Sequence, residues 1–264
     1  ITGVLFPRYH QLDATRKLVQ AVLAEGAGQK YLIQHSAGSG KTNSIAWTAH
    51  FLADLHDAAN NKLFSTVLVV SDRTVLDTQL QEAIFDFERT AGVVATIKGE
   101  SQSKSGELAE ALSGGKKIVV CTIQTFPFAL KAVQDLAATQ GKRFAVIADE
   151  AHSSQTGEAA GKLKQVLSAQ EIEDWADGGE VSAEDILAAQ MAARASEAGS
   201  GSAITYVAFT ATPKAKTLEL FGRRPNPEQP AGPDNLPAPF HIYSMRQAIE
   251  EGFILDVLKN YTSY

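Results

Sequence analysis

The stretch Ser36-Ala37-Gly38-Ser39-Gly40-Lys41-Thr42 decides the fold of this chain. Its small residues allow backbone N–H groups to close around phosphate oxygens. Lys41 can reach the terminal phosphates, and the Thr42 hydroxyl can bind Mg²⁺. The strict form of such a loop begins with glycine, whereas this chain has His35 there, which removes one conformational freedom. The stretch therefore predicts a phosphate-binding loop with one departure from the pattern.

The residues on either side of the loop support this interpretation. Tyr31-Leu32-Ile33-Gln34 precedes the loop as a short apolar strand. The segment 43–55 follows it with helical spacing of Ile45, Ala49, Leu52 and Leu55. Bound phosphates would then lie at a helix N-terminus, where unpaired N–H groups and the helix dipole favour anions.

A second motif, Asp149-Glu150-Ala151-His152, follows the apolar run 144–148, which is typical of a buried strand. Asp149 can hold the metal and Glu150 can orient a water molecule. Phosphoryl transfer needs both charge neutralisation and an oriented nucleophile, so the two motifs together indicate a nucleotide hydrolase. The alternative is that the motif is an ordinary surface turn after a strand.

Alternating strands and helices predict an α/β fold with a mostly parallel sheet covered by helices on both faces. Apolar segments typical of buried strands lie around 31–35, 66–71, 117–122, 144–149 and 204–210, with a further short candidate at 93–97. Helical patterns cover 75–87 and 108–112. Ligands of such sheets bind beyond the carboxyl ends of the strands, which is where the polar segments fall.

Two segments interrupt the alternation. The first, at about 155–203, is predicted as a helical insertion with helices at 158–168 and 181–197 and a flexible 199–202 linker. The second, 223–239, holds six of the nine prolines and is predicted as an extended loop. A short helix at 244–251 should follow and end at Gly252.

Composition bounds the class of protein. The chain has 264 residues, 44% of them hydrophobic and 20% charged, which is typical of a globular protein with one large or two small domains. No apolar run is long enough to cross a membrane, and the single Cys121 lies in a strand pattern, so we expect a reducing cytoplasm. The net charge of −6 argues against non-specific coating of nucleic acid.

Polar residues upstream of the loop and at the strand ends are further candidates. Gln11 can form two hydrogen bonds to the adenine edge, or it is simply an exposed residue at a helix start; that helix should turn Leu18, Val19, Val22 and Leu23 inward. Strand ends carry groups that bind the phosphate backbone of DNA without reading its sequence, or that only form turns. These groups are Asp72, Arg73, Thr122, Gln124 and Thr125.

The last strand ends in Thr210-Ala211-Thr212-Pro213. The two hydroxyls could relay the state of the nucleotide through His152, or they could only cap the strand. Lys214 and Lys216 fit a solvated face.

In this order the motifs resemble the first motor lobe of superfamily 2 helicases and translocases, and more narrowly the motor subunit of type I restriction–modification enzymes. The stretches that carry the resemblance are Arg8-Tyr9-His10-Gln11, Gly38–Thr42, Asp72-Arg73 with Leu76 and Gln79, Thr122–Phe126, Asp149–His152, Ser153–Gly157, Thr210–Pro213 and 243–254. His35 and the 158–203 segment depart from the family pattern.

The resemblance implies a RecA-like lobe over residues 1–222, then a proline-rich linker at 223–264 that leads to a second lobe. It implies that ATP and Mg²⁺ are the cofactors, with Arg8 and Gln11 joining the loop at the nucleotide. It further implies translocation of double-stranded DNA, together with specificity and methyltransferase subunits and without a membrane.

The family carries a nuclease domain before this lobe and arginine fingers in the second lobe. We expect neither within these residues, so the lobe alone should hydrolyse ATP poorly.

Three alternatives remain open at the level of sequence. The chain could belong to another superfamily 2 helicase that acts on DNA or RNA. It could be a small-molecule P-loop kinase or a transporter ATPase, although these lack the Thr-Ile-Gln-Thr and Thr-Ala-Thr strand ends. It could also bind nucleotide without turnover.

Overall fold

The structure is a computed structural model that describes residues 6–71, 78–87, 92–97, 110–112, 114–122, 126–149, 203–213, 215–230 and 232–255. Its helices are α1 (Tyr9–Glu25), α2 (Lys41–Ala53), α3 (Thr78–Asp86), α4 (Phe126–Gln140), α5 (Ala215–Phe221) and α6 (Met245–Glu250). Its strands are β1 (Lys30–His35), β2 (Thr66–Ser71), β3 (Val94–Ile97), β4 (Ile118–Thr122), β5 (Phe144–Ala148), β6 (Ile204–Thr210) and β7 (His241–Tyr243).

Within the described residues, the seven strands form one sheet in the order β3-β4-β2-β5-β6-β1-β7, and every neighbouring pair is parallel. The α/β fold class predicted from the sequence is confirmed. All five principal strand segments and the short candidate at 93–97 are present as strands.

The sheet is covered on both faces because successive strand residues point in opposite directions. Ile33, Val67 and Val69 face a core built with α1, α2 and α3. Their neighbours Leu32 and Leu68 face a second core that includes residues of α4 and α5. Burial on both sides explains why these strands appear in the sequence as continuous apolar runs.

Helix boundaries and one buried face differ from the sequence predictions. α2 spans Lys41–Ala53, whereas the pattern suggested 43–55. In α1, Leu18 and Val22 are fully buried as predicted, but Leu23 is 45% exposed. The prediction for Leu23 was wrong because one helix residue turns the side chain by 100°, which carries it past the stripe that faces the sheet.

Three elements were not predicted from the sequence: α4, α5 and β7. β7 is only three residues long and follows the proline-rich segment, so it carries no periodicity of its own. It pairs with β1 in the register Ile33↔His241 and His35↔Tyr243. The predicted 223–239 loop contains no helix or strand where it is described, apart from an isolated bridge between Arg223 and Ala238.

Arg223 anchors the start of this loop. Its guanidinium nitrogens bind both carboxylate oxygens of Glu25 at 2.7 and 2.8 Å, and it lies 4.1 Å from the Tyr31 ring centre. At the other end of the loop, the Phe240 amide donates to the Leu32 carbonyl at 2.8 Å. The loop is therefore fixed at both ends, and this places β7 beside β1, with which it pairs.

The predicted insertion at 155–203 lies outside the described residues except for its last position. Only 110–112 of the predicted 108–112 helix are described, and these residues are helical. No helix in the described part of the chain is long and apolar enough to cross a membrane.

Candidate nucleotide-binding site

The loop predicted to bind phosphate connects β1 to α2. Gly40 has φ 78° and ψ 38°, a left-handed conformation that suits glycine, and it is the residue before the first turn of α2. Gly38 also has a positive φ, of 72°. The Ser39 amide donates to the Ser36 carbonyl at 3.3 Å and closes a turn. The loop therefore ends at a helix N-terminus, where the first N–H groups lack partners inside the helix.

Lys41 bends back over this loop from the start of α2. Its ammonium nitrogen lies 3.2 Å from the carbonyl oxygens of both His35 and Ser36. Thr42 follows on the same helical turn and is partly exposed. The Lys41 ammonium, predicted to bind phosphate, and the Thr42 hydroxyl, predicted to bind the metal, are therefore on adjacent residues.

The loop is shaped to take an anion. The hydroxyls of Ser36 and Ser39 are buried and have no hydrogen-bond partner within the described residues. A Cβ added at Gly40 would lie 2.7 Å from the Gln11 amide nitrogen, and one at Gly38 would lie 3.3 Å from Ile254. Glycine is thus favoured at both positions, because a side chain would collide with Gln11 at position 40 and crowd Ile254 at position 38.

The N-terminal part of α1 holds the loop from one side. The Gln11 amide nitrogen donates to the carbonyls of Gly40 at 2.9 Å and Ser39 at 3.3 Å, and its oxygen accepts from the Arg8 amide. Arg8 approaches the Gly38 carbonyl at 3.4 Å. Gln11 is only 3% exposed, so the bland alternative of an exposed glutamine was wrong. Its reading of adenine stays a prediction.

His35 occupies the first loop position as the last residue of β1, with no exposed surface. Asn60 is the only described non-glycine residue with a positive φ, so the backbone at position 35 does not need glycine. Burial, followed by the nearby His241, His10 and Lys41, lowers the pKa of His35 to about 3. The imidazole is therefore neutral, and the departure from the motif causes no backbone strain.

Residues 243–254 cover the other side of the loop, a contact that sequence reasoning missed. The Ser36 amide donates to the Tyr243 carbonyl at 2.9 Å. Ile254 lies against Gly38, and the Phe253 ring stacks under the Arg8 guanidinium at 3.8 Å. The only sequence signal was the late resemblance over 243–254, which gave no hint of contact with the loop.

The predicted candidates at the strand ends share one edge of the sheet. Ser71 pairs with Thr122, Gln34 with Thr210, and Val70 with Ala148, the residue before Asp149. The Asp149 amide donates to the Val70 carbonyl at 2.9 Å. Thr122 and Thr210 are buried, whereas Thr212 is exposed. The structure therefore places the loop, Asp149 and these threonines at the carboxyl edge, as parallel strands require.

Several predicted site residues lie outside the described residues, namely Asp72, Arg73, Gln124, Thr125, Glu150 and His152. Within the described chain, no group of three or more His, Cys, Asp or Glu residues could hold a metal ion. Mg²⁺ in nucleotide sites needs no such cage, because phosphates and water supply most of its ligands. Thr42 and Asp149 thus remain the predicted metal residues.

Comparison with known proteins adds independent findings. A family model described as SWI2/SNF2 ATPase matches residues 10–172, which include the loop and the acidic motif. No curated protein sequence matches the chain. Among solved structures, the chain is similar to a nuclease-deletion mutant of the Type ISP restriction-modification enzyme LlaGI in complex with a DNA substrate mimic, with 15% identity and a TM-score of 0.43. The match covers 80% of this chain and 18% of that chain.

Proposed function

The chain belongs to the SWI2/SNF2 ATPase family, and from this premise we propose that it is the ATP-binding motor lobe of a DNA-dependent ATPase that translocates double-stranded DNA. More narrowly, we propose that it works in the motor subunit of a type I restriction–modification enzyme, beside specificity and methyltransferase subunits. The narrower assignment rests on the order of motifs from Arg8 to Ile254.

The single observation that carries the nucleotide assignment is the geometry between β1 and α2. A left-handed Gly40, two buried serine hydroxyls and the Lys41 ammonium all meet at a helix N-terminus. Helix N-termini and loops of consecutive N–H groups favour phosphate. The family match supports turnover of the bound nucleotide as well as binding.

Each residue has a distinct proposed role in hydrolysis. Lys41 binds the terminal phosphates as a point charge. The backbone N–H groups of the loop together bind the phosphate oxygens. Thr42 and Asp149 would hold Mg²⁺, which when bound neutralises negative charge on the phosphates. Glu150 would orient the attacking water, and His152 with Thr210 and Thr212 would couple hydrolysis to motion.

DNA contact is proposed for the same edge of the sheet. Thr122 lies at the end of β4, and the neighbouring candidates Asp72, Arg73, Gln124 and Thr125 follow β2 and β4 in the sequence. Hydroxyl, amide and guanidinium groups at strand ends bind the phosphate backbone irrespective of sequence. Sequence recognition would then come from another subunit.

Replacing Lys41 with alanine tests the proposal directly. We expect Lys41→Ala in the full-length protein to abolish ATP hydrolysis and weaken ATP binding while the thermal unfolding midpoint stays the same. Lys142→Ala is the matched control, since Lys142 precedes β5 at the opposite edge of the sheet. Unchanged hydrolysis in Lys41→Ala would refute the motor assignment.

Two further measurements sharpen the assignment. Thr42→Ala should lose activity that excess Mg²⁺ partly restores, because only a metal ligand is removed. A screen of the wild-type protein with duplex DNA, single-stranded DNA and RNA identifies the stimulating polymer. Stimulation by RNA alone would favour the alternative of another superfamily 2 helicase, and binding of ATP without hydrolysis would favour a nucleotide-binding module.

A further inference from the structure

Three side chains from distant parts of the sequence form a continuous row of hydrogen bonds beside the loop. His241 Nε2 lies 3.1 Å from Asp13 Oδ2, and His241 Nδ1 lies 2.9 Å from His35 Nε2. The row joins α1 through Asp13, β7 through His241 and β1 through His35. His35 and His241 are both buried, so water does not compete strongly for these bonds.

The chemistry of the three groups fixes the direction of the bonds. A carboxylate only accepts hydrogen bonds, so His241 must donate to Asp13 from Nε2. Burial lowers the pKa of His241, and at pH values above that pKa its neutral ring keeps Nδ1 as an acceptor. His35 must therefore donate from Nε2, and its Nδ1 carries no proton. That Nδ1 is buried and has no hydrogen-bond partner within the described residues.

The position of β7 decides two contacts with the phosphate loop. The Tyr243 carbonyl accepts from the Ser36 amide at 2.9 Å. The Tyr243 ring stacks on His10 with ring centres 3.7 Å apart and an angle of 8°. His10 in turn donates to the Ser39 carbonyl at 3.0 Å. A displacement of β7 would therefore reach the loop at both Ser36 and Ser39.

Backbone pairing with β1, the Phe240 amide bond to Leu32 and the Tyr243 hydroxyl bond to Glu251 also hold β7. It is an edge strand of three residues that pairs only with β1 among the described strands. Its central residue, Ile242, is half exposed and faces away from this row. Together with the Tyr243–His10 stack, the bond from His241 to Asp13 fixes the distance between β7 and α1.

We propose that His35 and His241 are positioning residues of the nucleotide site: the row Asp13–His241–His35 helps to hold β7 against β1 and α1, and thereby fixes the Tyr243 carbonyl that orders the Ser36 amide of the phosphate loop. His35, which stands where the motif expects glycine, is thus the last residue of this hydrogen-bonded row. The row acts on the phosphate loop through the contacts of Tyr243 and His10. This inference rests on the proposed function for its consequence on ATP, while its structural part stands apart from ATP.

The other charged and titratable groups around the row are known. His10 from α1 packs edge-on to His35, and Lys41 from α2 binds the His35 carbonyl. Lys17 from α1 binds Asp13 at 2.8 Å, and Glu251 accepts from the Tyr243 hydroxyl at 2.7 Å. Lys17 keeps Asp13 ionised, since its hydrogen bond is the largest cause that lowers the pKa of that carboxyl. Protonation of His241 at Nδ1 would remove the acceptor to which His35 Nε2 donates.

The test compares Asp13→Ala and His241→Ala with Asp13→Asn and His50→Ala in the full-length protein. An asparagine oxygen still accepts from His241, so Asp13→Asn should preserve the row. His50 binds the Ile84 carbonyl at 2.8 Å and joins α2 to α3 away from the row, so His50→Ala controls for general loss of stability. Asp13 is partly exposed, which makes Asp13→Ala the variant that should fold if His241→Ala does not.

The first readout is hydrogen exchange of the Ser36 amide without nucleotide. We expect Asp13→Ala and His241→Ala to speed this exchange by roughly 5- to 30-fold, the range for losing a buried hydrogen bond. The second readout is the dissociation constant for ATP, which should rise by a similar factor with a smaller change in kcat. Asp13→Asn and His50→Ala should change neither quantity appreciably. Side-chain ¹⁵N shifts should show His35 and His241 protonated at Nε2 only.

Three results would each overturn the proposal. These are unchanged Ser36 exchange in both Asp13→Ala and His241→Ala, equal losses in Asp13→Asn and Asp13→Ala, and a proton on Nδ1 of His35. Failure of the wild-type protein to bind ATP would instead refute the proposed function. In that case the Ser36 exchange and the ¹⁵N shifts would still decide the positioning role.

Discussion

The side-chain amide nitrogen of Gln11 lies 2.9 Å from the carbonyl oxygen of Gly40, so α1 is bonded to the residue that immediately precedes α2. The same nitrogen lies 3.3 Å from the Ser39 carbonyl. These bonds hold the loop carbonyls on the α1 side. Ordering the loop before the ligand arrives lowers the entropy lost on binding.

Gly40→Ala should damage both the fold and nucleotide binding. A Cβ at this position would lie 2.7 Å from the Gln11 nitrogen, and the backbone has a left-handed conformation. We expect a loss of about 1–3 kcal/mol in the free energy of unfolding, since that range covers strain at such positions. Chemical denaturation and ATP titration of the variant measure the two effects.

Gly141→Ala is the matched control for Gly40→Ala. Gly141 also has a positive φ, of 61°, but nothing lies within 4 Å of its added Cβ. It should show a similar backbone cost with unchanged ATP affinity. Equal ATP affinity in both variants would mean that the Gln11 contact is irrelevant to binding.

Gln11→Glu should weaken ATP binding more than Gln11→Ala. The new carboxylate oxygen would face the Gly40 and Ser39 carbonyls, all of which are acceptors, and such a mismatch costs about 1–3 kcal/mol when buried. Gln20→Glu, an exposed change on the same helix, is the control.

The nucleotide preference of the Gln11 variants tests the adenine prediction. If Gln11 also reads adenine, Gln11→Ala should lower the preference for ATP over GTP. If Gln11 only supports the loop, both affinities should fall together. Competition between ATP and GTP in the wild-type and variant proteins distinguishes the two cases.

The two carboxylates of the acidic motif should separate in steady-state kinetics. Glu150→Gln should lower kcat with little change in KM, because a group that orients water acts in the transition state. Asp149→Asn should change both constants through the metal. A strong rise in KM at near-normal kcat in Glu150→Gln would reverse the two assignments.

Stability should fall as the solution becomes acidic. Burial lowers the pKa of His35 from 6.5 to about 3, so between these values the unfolded state binds a proton that the folded state does not. The free energy of unfolding therefore decreases as pH falls below 6.5, by up to about 1.4 kcal/mol per pH unit for one group. His10 and His241, whose pKa values burial also lowers, act in the same direction.

Urea denaturation at several pH values between 7.5 and 5 (roughly the range over which histidine titrates) measures this dependence. His35→Asn should reduce the slope of the unfolding free energy against pH by up to the contribution of one proton, because asparagine does not titrate. An identical slope in the variant would show that His35 is charged in the folded protein.

Local sequence patterns correctly predicted much of the arrangement at the carboxyl ends of the strands. The loop at 36–42, the strand before Asp149 and the strands that end at Thr122 and Thr210 were all placed by periodicity and motif spacing. Parallel strands put their carboxyl ends on one edge, so order along the chain was enough to bring these residues together. The family match, from residue 10 to 172, covers the loop, Thr122 and Asp149 but not the strand that ends at Thr210.

Contacts between residues far apart in the sequence could not be predicted in this way. Ser36 and Tyr243 are hydrogen-bonded although most of the sequence lies between them. Nothing in the sequence pattern of His241–Tyr243 predicts a strand. Three residues are too few to show a period of two, and their pairing depends on where the preceding loop is anchored.

The sequence by itself predicted the chemistry that we propose for this protein, because the loop glycines, Lys41, Thr42 and Asp149 occur in the order that nucleotide hydrolysis needs. Only the tertiary structure decided how that chemistry is supported. Gln11 turned out to bind the loop carbonyls, and His35 turned out to meet His241 and, through it, Asp13. Reactive groups follow local motifs because their spacing is set by the backbone next to them. Supporting groups are chosen by packing, which brings together side chains that are distant along the chain.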